Sequence, residues 1–117
     1  MTHLIRLSDY RNRTRRGNSK VFFNRAELSQ LLGLYSEFVA RGDWRDYAID
    51  HLPDAAMFSI FRHAHESPLL TVVKTPDQKR KRTGYLLFQG EKRLLKAQSL
   101  GEILEKLRSR PRLVKEL

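Results

Sequence analysis

A chain of 117 residues with 40% hydrophobic and 31% charged side chains has room for one soluble domain; having no cysteine, it excludes disulfides, thiolate catalysis, iron–sulfur clusters and cysteine-based zinc motifs. The formal charge of +10 is uneven: residues 1–20 carry +5 and residues 76–98 another +5, while residues 21–75 hold five Lys/Arg against seven Asp/Glu. Concentrated cations beside a mildly acidic body favour a polyanionic partner.

Residues 1–20 have scattered apolar positions, Leu4, Ile5, Leu7 and Tyr10, without a lasting period, and Arg, Asn, Ser, Thr and Gly dominate the second half of the segment. They read as a disordered basic arm ahead of a single domain over 21–110, with a frayed tail at 111–117. No apolar run reaches the ~20 residues that span a bilayer, and no apolar segment of secretory type comes after the N-terminal charges. The expected location is the cytoplasm, with no membrane partner. An arginine-rich, acid-poor start also resembles an organellar transit peptide.

Val21 and Phe22 read as a short strand leading into the first helix. Asn24 followed by Glu27 is a capping box, with Phe23 and Leu28 placed as a hydrophobic staple. Leu28, Leu31, Leu32, Tyr35, Phe38 and Val39 then recur on one helical stripe, and Gly42 stands where a left-handed residue ends the helix, predicting a helix over 24–41. Strand-like segments occupy 44–51, 56–63 and 69–75, separated by Pro53-Asp54 and by Glu66-Ser67-Pro68. Phe58 and Ile60 fall on one face of the second strand, Met57 and Phe61 on the other. A loop over Pro76–Thr83 holds the basic run, Tyr85–Gln89 and Lys92–Ala97 form a hairpin about Gly90-Glu91, and Ser99 with Glu102 caps a last helix carrying Leu100, Ile103, Leu104 and Leu107.

Every connection between strands is too short for a parallel crossover. The expected fold is therefore α+β: an antiparallel meander of four to five short strands with one N-terminal and one C-terminal amphipathic helix. Several strands are apolar on both faces, so the second face needs a cover. A curled sheet, the C-terminal helix or a second copy of the chain would each supply one.

Lys79, Arg80, Lys81 and Arg82, with Lys92, Arg93 and Lys96 on the neighbouring hairpin, are the candidate polyanion-binding residues. Arg11, Arg13, Arg15 and Arg16 in the arm form a second cationic cluster. The bland alternatives are a solvated turn that blunts a strand edge and an ordinary basic tail. Base-specific readout lacks support, because no helix-turn-helix, zinc finger or aromatic-rich RNA-recognition pattern is present. Tyr47 and Tyr85, the available stacking residues, read as core or half-buried.

His63 and His65 share a strand face at metal-compatible spacing, but the remaining ligands would have to come from Glu66, His51 or Asp50; a surface pair is the simpler reading. Asp46, Asp50 and His51 could act as acid–base groups, but Ser59 and Ser67 sit in no nucleophile motif and the glycines fit no phosphate-cradling loop. No catalytic residue, metal or cofactor is expected. Nucleic acid or another polyanion is the leading partner. The other reading is a protein-interaction or homodimerisation module working through the apolar second face.

Phe22–Leu28, Leu34-Tyr35-Ser36, Gly42–Leu52 and Phe58–Arg62, with the later Pro68-Leu69, Tyr85, Lys96 and Leu100–Leu107, resemble a family of small uncharacterised alphaproteobacterial proteins. That family is catalogued as a domain of unknown function, and the likeness covers residues 21–108. It implies a bacterial cytoplasmic protein and brings no reaction, ligand or site residue. The arm lies outside it.

Overall fold

The computed structural model describes residues 21–63, 67–77 and 80–109. Helix α1 (Arg25–Ala40) is followed by strands β1 (Asp46–His51), β2 (Ala56–Phe61), β3 (Leu70–Asp77), β4 (Arg82–Gln89) and β5 (Lys92–Ala97), then by helix α2 (Leu100–Ser109). The strands form one antiparallel sheet in the order of the sequence, the expected α+β meander. The arm over 1–20 and the tail over 111–117 lie outside the described residues.

Both halves of the first capping box are present: the Glu27 N–H donates to Asn24 Oδ1 and the Asn24 N–H to Glu27 Oε1, each at 2.8 Å. At the other end Gly42 takes a φ of 83°. Its N–H donates to the Val39 carbonyl and that of Asp43 to the Phe38 carbonyl, the paired bonds of a Schellman stop. At α2 the box is half made. The Glu102 N–H donates to Ser99 Oγ, while the Glu102 carboxylate faces the Ser99 hydroxyl rather than its backbone N–H.

The buried stripe of α1 is turned from the expected one. Glu27, Leu31, Leu34 and Phe38 are buried, Leu28, Leu32 and Tyr35 are half-buried, and Val39 is 38% exposed. The cause is Glu27, whose bonds to the sheet draw its own face of the helix inward. Residues 21–24 form no strand; the Val21 N–H donates to the Leu52 carbonyl, and Phe22 is 55% exposed.

The hairpin between β3 and β4 is longer than the expected loop allows. Pairing continues through Pro76 with Thr83 and Asp77 with Arg82, so Arg82 is a strand residue. Pro76 is tolerated because β2 pairs with β3 only as far as Lys74, and a proline on an unpaired edge forfeits no ladder bond.

One face of the sheet carries Phe58, Ile60, Leu70, Val72 and Leu87. It packs in a single cluster with Leu31, Leu34 and Phe38 of α1 and with Leu100, Ile103, Leu104 and Leu107 of α2. The other face forms a separate cluster of Ala55, Met57, Val73, Leu86 and Phe88, which no residue of either helix joins. The C-terminal helix therefore does not cover the second face. Trp44 folds back onto α1, its ring 4.4 Å from that of Phe38, which delays β1 to Asp46.

Candidate polyanion interface

The strand register makes the β3–β4 hairpin a projecting ribbon. β2 releases β3 at Lys74 and β5 joins β4 at Tyr85, so three residues of each strand run on alone, about 10 Å, before the turn. Arg80, Lys81 and Arg82 of the basic run cap this ribbon. Arg80 is loosely held: its Nε stands 3.9 Å from an Asp77 oxygen and its side chain is half exposed, a geometry that contributes little. Lys81 and Arg82 are exposed and make no ion pair among the described residues. Lys79 lies outside the described residues, as do Arg11, Arg13, Arg15 and Arg16.

The other candidate cations are spread along β5. Lys92 pairs with Gln89 and Arg93 with Phe88, seven and six residues along β4 from Arg82, which places them about 23 and about 20 Å away, at the opposite end of the sheet. Lys96 pairs with Leu86 and stands between the two ends. All three are exposed. Arg62 and His63 lie at the same end as Lys92, lining an open groove of about 640 Å³ with Ser67, Pro68, Leu69, Gln89 and Gly90. The structure thus keeps Arg80, Lys81 and Arg82 together and separates them from Lys92 and Arg93.

The arm is rooted at the ribbon's end of the sheet. Val21 bonds to Leu52, one residue past His51, whose partner Ala56 aligns with Lys74 and, through Lys74, with Tyr85. That row is the base of the ribbon. The Thr75 hydroxyl donates to the Asp54 carbonyl across the same corner.

A polar centre that the sequence does not disclose sits behind this corner. The Glu27 carboxylate accepts from Lys74 Nζ at 2.7 Å and from the Tyr85 hydroxyl, and Lys74 also donates to the Phe22 carbonyl. Burial alone would raise the Glu27 pKa; bonds from Lys74, Tyr85 and the Asn24 N–H, with the Lys74 charge, bring it below the ordinary carboxylate value. Burial and the bond to Glu27 push the Tyr85 phenol well above its usual range, so it stays a proton donor. Tied from three sides, the group fastens α1 to β3 and β4 and offers no reactive edge. The partners are separated by 47 and 58 residues, so no local spacing could have revealed them.

Asp46, Asp50 and His51 do not converge. Asp46 and Asp50 oppose Phe61 and Met57 on the second face, while His51 opposes Ala56 on the helix face. The His51 ring lies 4.5 Å from that of Phe22. No group of three or more metal-binding side chains occurs among the described residues; His63 is exposed, and His65 and Glu66 lie outside them. Tyr47 lies not in the expected core but 39% exposed; one side of its ring stacks on Phe58 at 5.3 Å and meets Tyr35 edge-on. Among the described residues no helix is long and apolar enough to cross a membrane.

A protein-family model matches residues 21–104, and its description is a protein of unknown function. No curated protein and no solved structure matches the chain.

Proposed function

The chain belongs to that family, DUF2794, and since the family supplies no activity we propose, from this chain's own geometry, a non-enzymatic module that binds nucleic acid through phosphate contacts. The observation that carries the reading is the ribbon: a two-stranded projection whose tip holds Lys81 and Arg82, exposed and outside any ion pair among the described residues, beside a loosely held Arg80. A two-stranded β-ribbon is narrow enough to enter a DNA major groove, about 12 Å wide, or to lie along a backbone. Lys81 keeps a left-handed backbone, φ 53°, that glycine adopts at less cost, so the tip holds a cation against its backbone preference. Arg11, Arg13, Arg15 and Arg16 add a second set of phosphate contacts from an arm rooted at the same end. Lys96 flanks the ribbon, and Lys92 with Arg93 serve only a partner long enough to run the length of β4. Phosphate contacts position a protein without reading sequence, so the expected binding is indifferent to base order.

Titration of labelled DNA and RNA tests this. About four phosphate contacts should cost roughly 100-fold in affinity between about 50 and 200 mM salt. Neutralising Arg80, Lys81 and Arg82 to Ala should weaken binding and flatten that dependence. Salt-independent binding, or binding unchanged in the triple variant, overturns the reading. The rival reading, dimerisation through the apolar second face, needs that face open, and Met57, Val73 and Phe88 are fully buried within one chain.

A further inference from the structure

The sheet has two edge strands among the described residues, β1 and β5, and they are built differently. β5 is blunted: Lys92, Arg93 and Lys96 are exposed along it, and its register slips beside Leu87 and Phe88. Cations and bulges of this kind discourage a further strand from pairing. β1 has neither. It pairs with β2 from Asp46 to His51 without a slip, and residues 46–61 hold three Asp and no Lys or Arg. The Leu52 N–H donates to the Ala55 carbonyl, which fixes the alternation along the strand. Asp46, Ala48 and Asp50 turn their backbone groups to β2, while Tyr47, Ile49 and His51 turn theirs outward. The outward Tyr47 N–H is taken up by Asp46 Oδ1 at 2.9 Å. The N–H groups of Ile49 and His51, and the carbonyls of Tyr47, Ile49 and His51, meet no partner among the described residues.

The side chains of β1 decide what fits beside it. On the helix side stand Tyr47 and Ile49, opposite Ile60 and Phe58, with the Tyr47 ring 39% exposed at the edge. On the second face Asp46 and Asp50 set a carboxylate on either side of the small Ala48. A second copy fits this edge poorly. Paired residues share a face, so two β1 strands lying edge to edge gather four carboxylates on one face, and like charges so placed repel. We propose that β1 takes up an extended cationic peptide as a sixth strand. Its Lys or Arg residues, four positions apart, face Asp46 and Asp50 across a small residue at Ala48, and its alternate apolar residues lie beside Tyr47 and Ile49. The outward backbone groups supply the affinity and the alternating side chains the choice of partner. The inference does not rest on nucleic-acid binding: a polyanion held by Arg80, Lys81 and Arg82 is repelled by Asp46 and Asp50, so the two ligands call on different surfaces.

The probe is a capped, fluorescently labelled peptide, Val-Arg-Val-Ser-Val-Arg-Val, titrated into the full-length protein, with amide hydrogen exchange followed by NMR. At about ten times its Kd the peptide should slow exchange at Ile49 and His51 about tenfold, and leave Ala48 and Asp50, already bonded to β2, nearly unchanged. N-methylation of the peptide's valines, which removes its bonds to β1, should weaken binding at least tenfold, as should replacing both arginines by Glu. Asp46→Asn with Asp50→Asn should weaken the native peptide similarly while leaving the nucleic-acid titration as it was. Equal binding of the N-methylated or the Glu peptide overturns the proposal, as does protection confined to residues outside β1. Protection of Ile49 and His51 that grows with protein concentration in the absence of peptide also overturns it, assigning the edge to a second copy. If the Asn variant loses its circular-dichroism signal, the peptide series on the native chain decides alone.

Discussion

Glu27 shows how much one side chain can decide. It completes the cap of α1, pairs with Lys74 and accepts from Tyr85, and because these bonds favour its charged form its pKa is lowered. A lowered carboxylate pKa gives stability that is fully present above the unfolded value, near 4.3, and is lost as pH falls through the folded one. Unfolding by urea across pH 3–7 should therefore show an acid-side decline that Glu27→Gln flattens, with the variant about 1–3 kcal/mol less stable at neutral pH. An unchanged acid limb would remove Glu27 from this role. Gly42 acts through its backbone instead. At φ 83° with no side-chain neighbour within 4 Å of an added Cβ, the strain is conformational and not steric crowding. Gly42→Ala should cost about 1 kcal/mol, seen as a lower urea midpoint at constant slope.

At the scale of the elements, the sequence is most legible where the cause is local. Asn24 with Glu27, Gly42, the Gly90-Glu91 turn and the stripe Leu100, Ile103, Leu104 and Leu107 all mark features that a few neighbouring residues determine. It is less legible where a distant partner intervenes. Counting apolar residues places Val39 inside and passes over Leu34, because a glutamate held by Lys74, 47 residues away, does not register as part of a buried stripe. Pro76 likewise reads as a loop residue, since nothing local says that β2 has already stopped pairing there. The turned face of α1 has a measurable consequence. Leu34→Ala should cost about 2–5 kcal/mol, whereas Val39→Ala should fall within about 0.5 kcal/mol of the parent. Equal costs at the two positions would mean that α1 sits as its sequence alone suggests.

At the scale of the whole molecule, the uneven charge is visible in composition, but its arrangement is not. Lys92 and Arg93 lie ten or more residues from the basic run in sequence and on the very next strand, which suggests one continuous patch. The antiparallel turn at Gly90-Glu91 instead carries them to the far end of β4. The arm is the opposite case: distant from the ribbon in sequence, it is rooted beside it through Val21 and Leu52. Length of the nucleic acid then becomes a probe of which cations act together. A duplex of about five base pairs spans roughly 17 Å at 3.4 Å per pair and falls short of both ends of a sheet whose cations stand about 20–23 Å apart. On such a duplex, changing Lys92 and Arg93 to Ala should leave the salt dependence unchanged, while changing Arg80, Lys81 and Arg82 should reduce its slope by about one for each phosphate that no longer meets a cation. On a duplex of about twenty base pairs, both sets should matter if the partner runs along β4. A slope on the short duplex that falls equally for the two sets would show the cations acting as an undirected cloud, and the projecting ribbon would lose its special place.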